Sequence, residues 1–277
     1  MGRKKKHVHV VSISGGRSSG YLAYLMKHKA AREGFKVVYV FCDTGAEHPE
    51  TYEFIRRTAK NLDIDIICLR LKVVGPLGVG NTYEKVSLKW IKNDLKPWSD
   101  MCKKYGLPYV TGPFCTDRMK LVPFRKYCDE HFGEGNYTTY LGIRCDEPKR
   151  LKAREGVVYL GDISDCDKQD ILDWWKEKSW DLKIPEHLGN CVFCIKKSIN
   201  KLCKAAQDEP QLAKDMSNML KHPDNRVSIM EMYRENNSLD SIIMLAGITD
   251  SEYLKEYLAK SHSEDSGSCS ESCEVFQ

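Results

Sequence analysis

Four short stretches of this 277-residue chain bring together side chains able to do chemistry. Cys191-Val-Phe-Cys194 sets two thiols at a spacing that holds zinc, ligates an iron–sulfur cluster or forms a redox dithiol. A second Cys-x-x-Cys, which a four-thiolate zinc site needs, does not occur, and thiolates gathered from separate segments suit an iron–sulfur cluster better. Ser14-Gly15-Gly16-Arg17-Ser18-Ser19 combines glycines, which let a backbone approach an anion closely, with hydroxyl and guanidinium donors for phosphate oxygens. Cys115-Thr-Asp-Arg-Met-Lys120 puts a thiol at a helix start, where the dipole favours the thiolate, with Lys120 near the same turn. Arg144 and Arg150 offer two guanidinium forks suited to phosphate or sulfate, with Asp146 and Glu147 as the competing partners for both.

The elements around these stretches follow from the spacing of apolar residues. The β-branched run Val8, Val10, Val11, Ile13 predicts a buried strand that breaks at the paired glycines, with a helix from about Tyr21. That order of strand, glycine turn and helix makes an anion site, because the first amides of a helix have no partner inside it. Residues 36–41 predict a second strand, ending at Cys42-Asp43-Thr44-Gly45. A helix follows over 48–61, and 63–70 form a third strand. Alternating strands and helices imply a parallel sheet with right-handed crossovers, whose ligands bind beyond the carboxyl ends of the strands. Both the Ser14 and the Asp43 turns fall there. Residues 82–95 read as a helix, 97–113 as a loop region, 115–132 as a basic helix, and 137–142 and 157–160 as strands. From Asp167 the pattern is helical to about Lys260, and the Ser/Glu/Asp-rich 261–277 reads as a disordered tail that nonetheless carries Cys269 and Cys273. The expected organisation is an α/β nucleotide-binding domain over 1–165, a helical region over 166–260 and a cysteine-containing tail over 261–277.

Composition narrows the class. Apolar residues make up 42% of the chain and charged residues 30%, as in a soluble globular protein, and no apolar run approaches membrane-spanning length. The opening Met-Gly-Arg-Lys-Lys-Lys lacks the apolar segment of a secretory signal, so a cytoplasmic location is expected. Lys at position six excludes the usual myristoylation pattern. A net charge of +4 permits an anionic substrate without requiring nucleic acid. Twelve cysteines in a reducing compartment point to metal or redox chemistry before a disulfide framework.

Taken in order, Ser-Gly-Gly-Arg-Ser-Ser, Phe-Cys-Asp-Thr-Gly, Cys-Thr-Asp-Arg-x-Lys-x-x-Pro, Gly-Ile-Arg-x-Asp-Glu-Pro-x-Arg and His-Leu-Gly-Asn-Cys-x-x-Cys form a recognisable series. The chain resembles the phosphoadenosine phosphosulfate (PAPS) reductase-like family of the adenine nucleotide alpha-hydrolase, or ATP-pyrophosphatase, superfamily, closest to its bacterial and bacteriophage branch. The resemblance spans about Val8 to Cys203. It implies a Rossmann-like, adenine nucleotide alpha-hydrolase-like core with a helical C-terminal region. It also implies a modified P-loop, Ser14 to Ser19 with Ser12 on the strand before it, that binds an adenine nucleotide (PAPS, APS or ATP). Asp43, Thr44 and Gly45 would then lie near the nucleoside, and Lys120, Arg144 and Arg150 would hold the phosphosulfate or pyrophosphate. Magnesium would accompany ATP, although Ser18 stands where the pyrophosphatase branch usually carries Asp, which argues against ATP cleavage of the ordinary kind.

The resemblance extends to the metal. Cys115 is similar to the first cysteine of a Cys-Cys-x-x-x-Lys-x-x-Pro segment in cluster-containing adenylylsulfate reductases, with Thr116 replacing the second. Cys191 and Cys194 match the downstream pair. Three ligands of a 4Fe-4S cluster are thus implied. Cys273 is favoured as the fourth over Cys269, Cys203 and Cys145, and Cys269 is the candidate for the mobile redox nucleophile that the family's C-terminal cysteine provides. The implied reaction is thiol-dependent reduction of a sulfonucleotide with release of sulfite, drawing on a thioredoxin-like thiol reductant. Two alternatives stand beside it: ATP-dependent sulfur transfer to nucleic acid from a sulfur donor, and a non-catalytic nucleotide-binding module with a structural metal. Oligomeric state is left open.

Overall fold

A computed structural model describes residues 7–226 and 231–264; Cys269 and Cys273 lie outside the described residues. The chain runs β1 (Val8–Ile13), α1 (Arg17–Glu33), β2 (Val37–Cys42), α2 (Pro49–Leu62), β3 (Ile66–Lys72), β4 (Thr82–Val86) and α3 (Lys96–Tyr105). A π turn, Asp117–Leu121, leads into α4 (Val122–Phe132), then β5 (Tyr137–Leu141), β6 (Val157–Tyr159), α5 (Leu160–Ile163) and α6 (Lys168–Lys176). Helices α7 (Ile199–Asp208), α8 (Pro210–Leu220), α9 (Leu239–Ile248) and α10 (Ser251–Glu264) complete the described chain.

The six strands form one sheet in the order β4-β3-β2-β1-β5-β6. Every pairing is parallel except that of β3 with β4. Alternation along β1 explains why its apolar run is nearly continuous. Val11 and Ile13 pack into the core shared with α1, α2 and α6, while Val8 and Val10 face Phe124, Tyr127, Cys128 and Phe132 around α4. Both faces of β1 are therefore covered, as parallel sheets require. The chain builds outward from β1 to β3 on one side, then returns to place β5 on the other. That makes the carboxyl ends of β1 and β5 the topological switch point, where such sheets open a crevice.

Three expectations need correction. Residues 82–95 do not form a helix. Thr82–Val86 pairs antiparallel with β3, Cys68 opposite Val86 and Lys72 opposite Thr82, because β3 would otherwise expose a bare edge and the Thr-Tyr and Val residues suit a pleated surface. The region from Pro97 is not all loop either. Pro97 sits in the first turn of α3, where its missing N–H leaves no helical bond unmade. Helix α1 also begins earlier than Tyr21, at Arg17, so Ser18 and Ser19 lie in its first turn.

Helix α6 docks on α1 through Trp174, packed against Tyr21 and Tyr24, and most closely through Trp175. Trp175 is fully buried, its indole N–H donates to the Arg17 carbonyl at 3.0 Å, and a Cβ on Gly20 would stand 2.8 Å from the Trp175 ring. A glycine is needed there for the two helices to meet, and this contact sets the distance of the α6 wall from the β1 turn.

Candidate functional site

A cavity of about 670 Å³ opens at the switch point. One wall is the β1–α1 turn, Ser14 through Ser19. Gly15 takes φ +83°, and a Cβ there would meet Thr51 at 2.6 Å, so glycine is dictated twice over. Gly16 is the extended N-cap of α1, which no side chain caps. The turn is shaped by Ser19, whose hydroxyl accepts from the Ser14 N–H at 3.1 Å and from the Ser14 hydroxyl at 3.0 Å, and donates to the Gly16 carbonyl at 2.9 Å. The uncapped first-turn amides of a helix, with its dipole behind them, favour an anion at this place.

The second wall follows β5. A Cβ on Gly142 would lie 2.8 Å from the Ser19 nitrogen, so the β5 terminus and the α1 start touch main chain to main chain. Arg144 comes next, buried, its Nη1 3.4 Å from the Ser18 hydroxyl. Asp146 accepts from Arg144 Nε and Nη2 at 2.7 and 3.1 Å. Glu147, also buried, accepts from the Arg144 N–H at 3.0 Å and from Arg150. The guanidiniums are thus aligned by carboxylates at the cavity rather than dispersed in solvent, and both arginines line it. The remaining wall is apolar at Ile171, Leu172, Leu182, Ile184 and Pro185, which provides a face for a flat aromatic base.

Arg17 lines the cavity, but its guanidinium is bound bidentately by Asp181, at 2.8 and 3.0 Å. Its first role is to tie the turn to the 181–184 wall. Asp181 carries no motif and is 164 positions away, so nothing in the sequence marks it.

Asp43, Thr44, Gly45, Ser12 and Lys120 do not line the cavity. Asp43 is wholly buried, accepting from Arg70 Nε at 2.7 Å, from the Gly45 N–H at 2.8 Å and from the Tyr52 hydroxyl at 3.0 Å. Burial and the neighbouring Glu47 carboxylate raise its pKa to about 6, with Arg70 pulling the other way. Thr44 donates to Glu47 at 2.8 Å and stands 3.3 Å from Cys191 Sγ, so this turn abuts the Cys-x-x-Cys loop. The Val192 N–H donates to the Ala46 carbonyl at 3.0 Å and closes that contact. Ser12 is buried in β1, and the charge of Lys120 lies close to the buried Cys42 thiol, which burial pushes up to about 12.

Cys115, Cys191 and Cys194 are all buried. Tyr233 stands near all three, its hydroxyl donating to the Phe193 carbonyl at 3.0 Å. Burial first, then the nearness of Cys194, Cys191 and Cys115, raises the pKa of that phenol. Lys197, 1% exposed, donates to the Val192 carbonyl at 2.9 Å and the His187 carbonyl at 2.6 Å, fastening the thiol loop to the segment beside cavity residues Pro185, Glu186 and Gly189. Tyr233 and Lys197 lie beside the thiol loop, and no sequence motif singled them out. Among the described residues, no three His, Cys, Asp or Glu side chains form a group able to hold a metal ion. No helix among the described residues is long and apolar enough to cross a membrane.

Residues 8–187 match the model of the phosphoadenosine phosphosulfate reductase domain. Over 277 aligned positions, 97% of this chain and 95% of the other, the sequence is 50% identical to an uncharacterised nin region protein of Escherichia phage lambda. It is 28% identical over 141 residues, 51% of this chain and 24% of the other, to an uncharacterised protein of Methanocaldococcus jannaschii. A crystal structure of phosphoadenylyl-sulfate (PAPS) reductase from Candida auris in a phosphate complex is similar with a TM-score of 0.37 and 16% identity, covering 61% of this chain and 71% of that one.

Proposed function

The chain belongs to the phosphoadenosine phosphosulfate reductase domain family, and from that premise we propose that it is an enzyme that binds an adenine sulfonucleotide and reduces it with thiols, releasing sulfite. One observation carries the reading: the Ser14–Ser19 turn and the Arg144/Arg150 pair face one cavity, held together where Gly142 meets Ser19.

In this reading the first-turn amides of α1 and the Ser18 hydroxyl hold the phosphate of the nucleotide, and Arg144 and Arg150 hold the sulfonate and the leaving phosphate. The apolar wall at Leu172, Leu182 and Ile184 takes the base. A thiolate, assigned to Cys269, attacks the sulfur of the sulfonucleotide. The S–O bond to the phosphate breaks, an adenosine phosphate leaves with the electron pair, and the enzyme carries a Cys–S–sulfonate. A second thiol attacks that cysteine sulfur, forming a disulfide and expelling sulfite. The disulfide is returned to two thiols by an external dithiol of the thioredoxin type. Arg144 and Arg150 neutralise the charge that develops on the leaving phosphate.

The implied 4Fe-4S group fits the donor chemistry of Cys115, Cys191 and Cys194, three buried soft ligands near one phenol. Those three would hold it, with Cys273 as the fourth ligand. When bound, such a cluster would supply a soft, polarisable iron–sulfide core beside the thiol loop. No chemical step above passes through it.

The test supplies the protein with PAPS, adenylyl sulfate or ATP and a dithiol, and assays sulfite and pyrophosphate. Sulfite from a sulfonucleotide is the expected result. Pyrophosphate from ATP with no sulfite overturns the reading in favour of ATP-dependent sulfur transfer.

A further inference from the structure

Eight of the ten cysteines among the described residues are buried; Cys145 and Cys166 are the two that reach solvent. The Cys145 thiol also reaches the backbone of Cys166. Cys145 Sγ lies 3.1 Å from the Asp165 carbonyl oxygen and 3.4 Å from that of Cys166. Their places matter as much as their contact. Cys145 stands between Arg144 and Asp146 on the β5 wall of the cavity, and Cys166 immediately precedes Asp167 and Lys168, where the α6 wall begins. Neither residue is one of the three thiols near Tyr233, and the reaction described above uses neither.

The surroundings treat the two thiols differently: burial and the carboxylates of Asp146, Asp165 and Asp167 raise the Cys145 pKa, so Cys166 is the first attacker. The Ser164 hydroxyl donates to Cys166 Sγ at 3.0 Å, and the Tyr21 hydroxyl is 3.4 Å away. Both sulfurs reach solvent, as attack on a small disulfide requires. The backbone beneath Cys145 is held. The Gly161 N–H donates to the Ile143 carbonyl at 2.9 Å, and a Cβ on Gly161 would stand 2.8 Å from the Cys145 nitrogen. A bond formed at Cys145 is therefore transmitted to the adjoining Arg144 rather than absorbed by loose chain.

We propose that Cys145 and Cys166 form a redox dithiol at the rim of the cavity, and that its oxidation by a small-molecule disulfide weakens ligand binding at Arg144. The Cys166 thiol gives its proton to solvent and attacks one sulfur of the small disulfide, releasing one small thiolate and leaving a mixed disulfide. Cys145, losing its proton, attacks Cys166 Sγ and releases the second small thiolate. Two protein thiols are oxidised to one disulfide, and one small disulfide is reduced to two thiols. The new bond joins the β5 wall to the α6 wall and draws Cys145 away from the Asp165 carbonyl, shifting Arg144 against Ser18. The effect on ligand rests on the nucleotide reading above; the disulfide itself does not.

The experiment equilibrates the full chain with oxidised and reduced glutathione, blocks free thiols by alkylation, and maps linked peptides by mass spectrometry. Binding of adenylyl sulfate is measured on both forms. The expected result is a Cys145–Cys166 linkage and affinity weakened by about fivefold or more, restored by dithiothreitol. Cys145→Ser and Cys166→Ser abolish both effects, and Cys203→Ser, at a buried thiol, leaves both intact. Reduced Cys145 and Cys166 under conditions that oxidise other cysteines overturn the proposal, as does a linked form with unchanged affinity. A chain that forms the linkage yet binds no adenine nucleotide in either state counts against the nucleotide reading instead.

Discussion

Gly142 stands against the main chain of Ser19, so close that a single added Cβ would sit 2.8 Å from the Ser19 nitrogen. The end of β5 and the start of α1 are thereby set side by side, which places Arg144 within 3.4 Å of Ser18. Neither neighbour at Gly142 can yield, since both contacts are backbone. Gly142→Ala should destabilise the fold by about 1–3 kcal/mol through overpacking. It should also weaken adenylyl sulfate binding more than a surface glycine change such as Gly80→Ala, where an added Cβ meets nothing. Urea unfolding and calorimetric titration on both variants check this.

Arg144→Lys keeps the charge and loses the fork. A charge-assisted hydrogen bond contributes about 1.5–3 kcal/mol, so affinity for adenylyl sulfate should fall roughly 10–100-fold. Adenosine, which has no phosphate, should bind the variant and the parent alike. Equal losses for both ligands would place Arg144 outside anion recognition.

Trp175→Ala removes the ring that α6 presses onto Gly20 and the N–H that reaches the Arg17 carbonyl. A loss of about 3–5 kcal/mol is expected from truncating a fully buried tryptophan. Chemical denaturation monitored by circular dichroism measures it.

Asp43 gives the fold a pH signature. Burial and Glu47 raise its folded-state pKa to about 6, above the ordinary carboxylate value, so the folded chain holds this proton to higher pH than the unfolded chain does. The stability contributed by the protonated group is present below about pH 4 and is lost as pH rises through about 6. Asp43→Asn stays neutral and should lack that slope, so its stability relative to the parent should rise between pH 4 and pH 7. Urea titrations across that range settle the point, and a constant difference would refute it.

Anaerobically purified protein should contain iron and acid-labile sulfide, both lost in Cys115→Ser, Cys191→Ser, Cys194→Ser and Cys273→Ser. Cys203→Ser, at a buried thiol 3.8 Å from the Ile242 carbonyl, should retain them. Colourless protein holding one zinc would overturn the cluster assignment.

The sequence by itself determined the order of strand, turn and helix from β1 to β3 and again at β5 and β6, because periodicity and glycine placement are local properties. It therefore located the Ser14–Ser19 turn and Arg144 at strand ends, and a sheet of this connectivity brings both to one crevice. Partnership across the chain was decided only by the tertiary structure. Arg17 is bound by Asp181 rather than left wholly for a ligand, Asp43 is buried against Arg70, and residues 82–86 are drawn into an edge strand by β3. Each outcome depends on which groups meet after packing, where a charge removed from water must find a partner and an exposed strand edge must be covered. No spacing along the chain encodes those meetings.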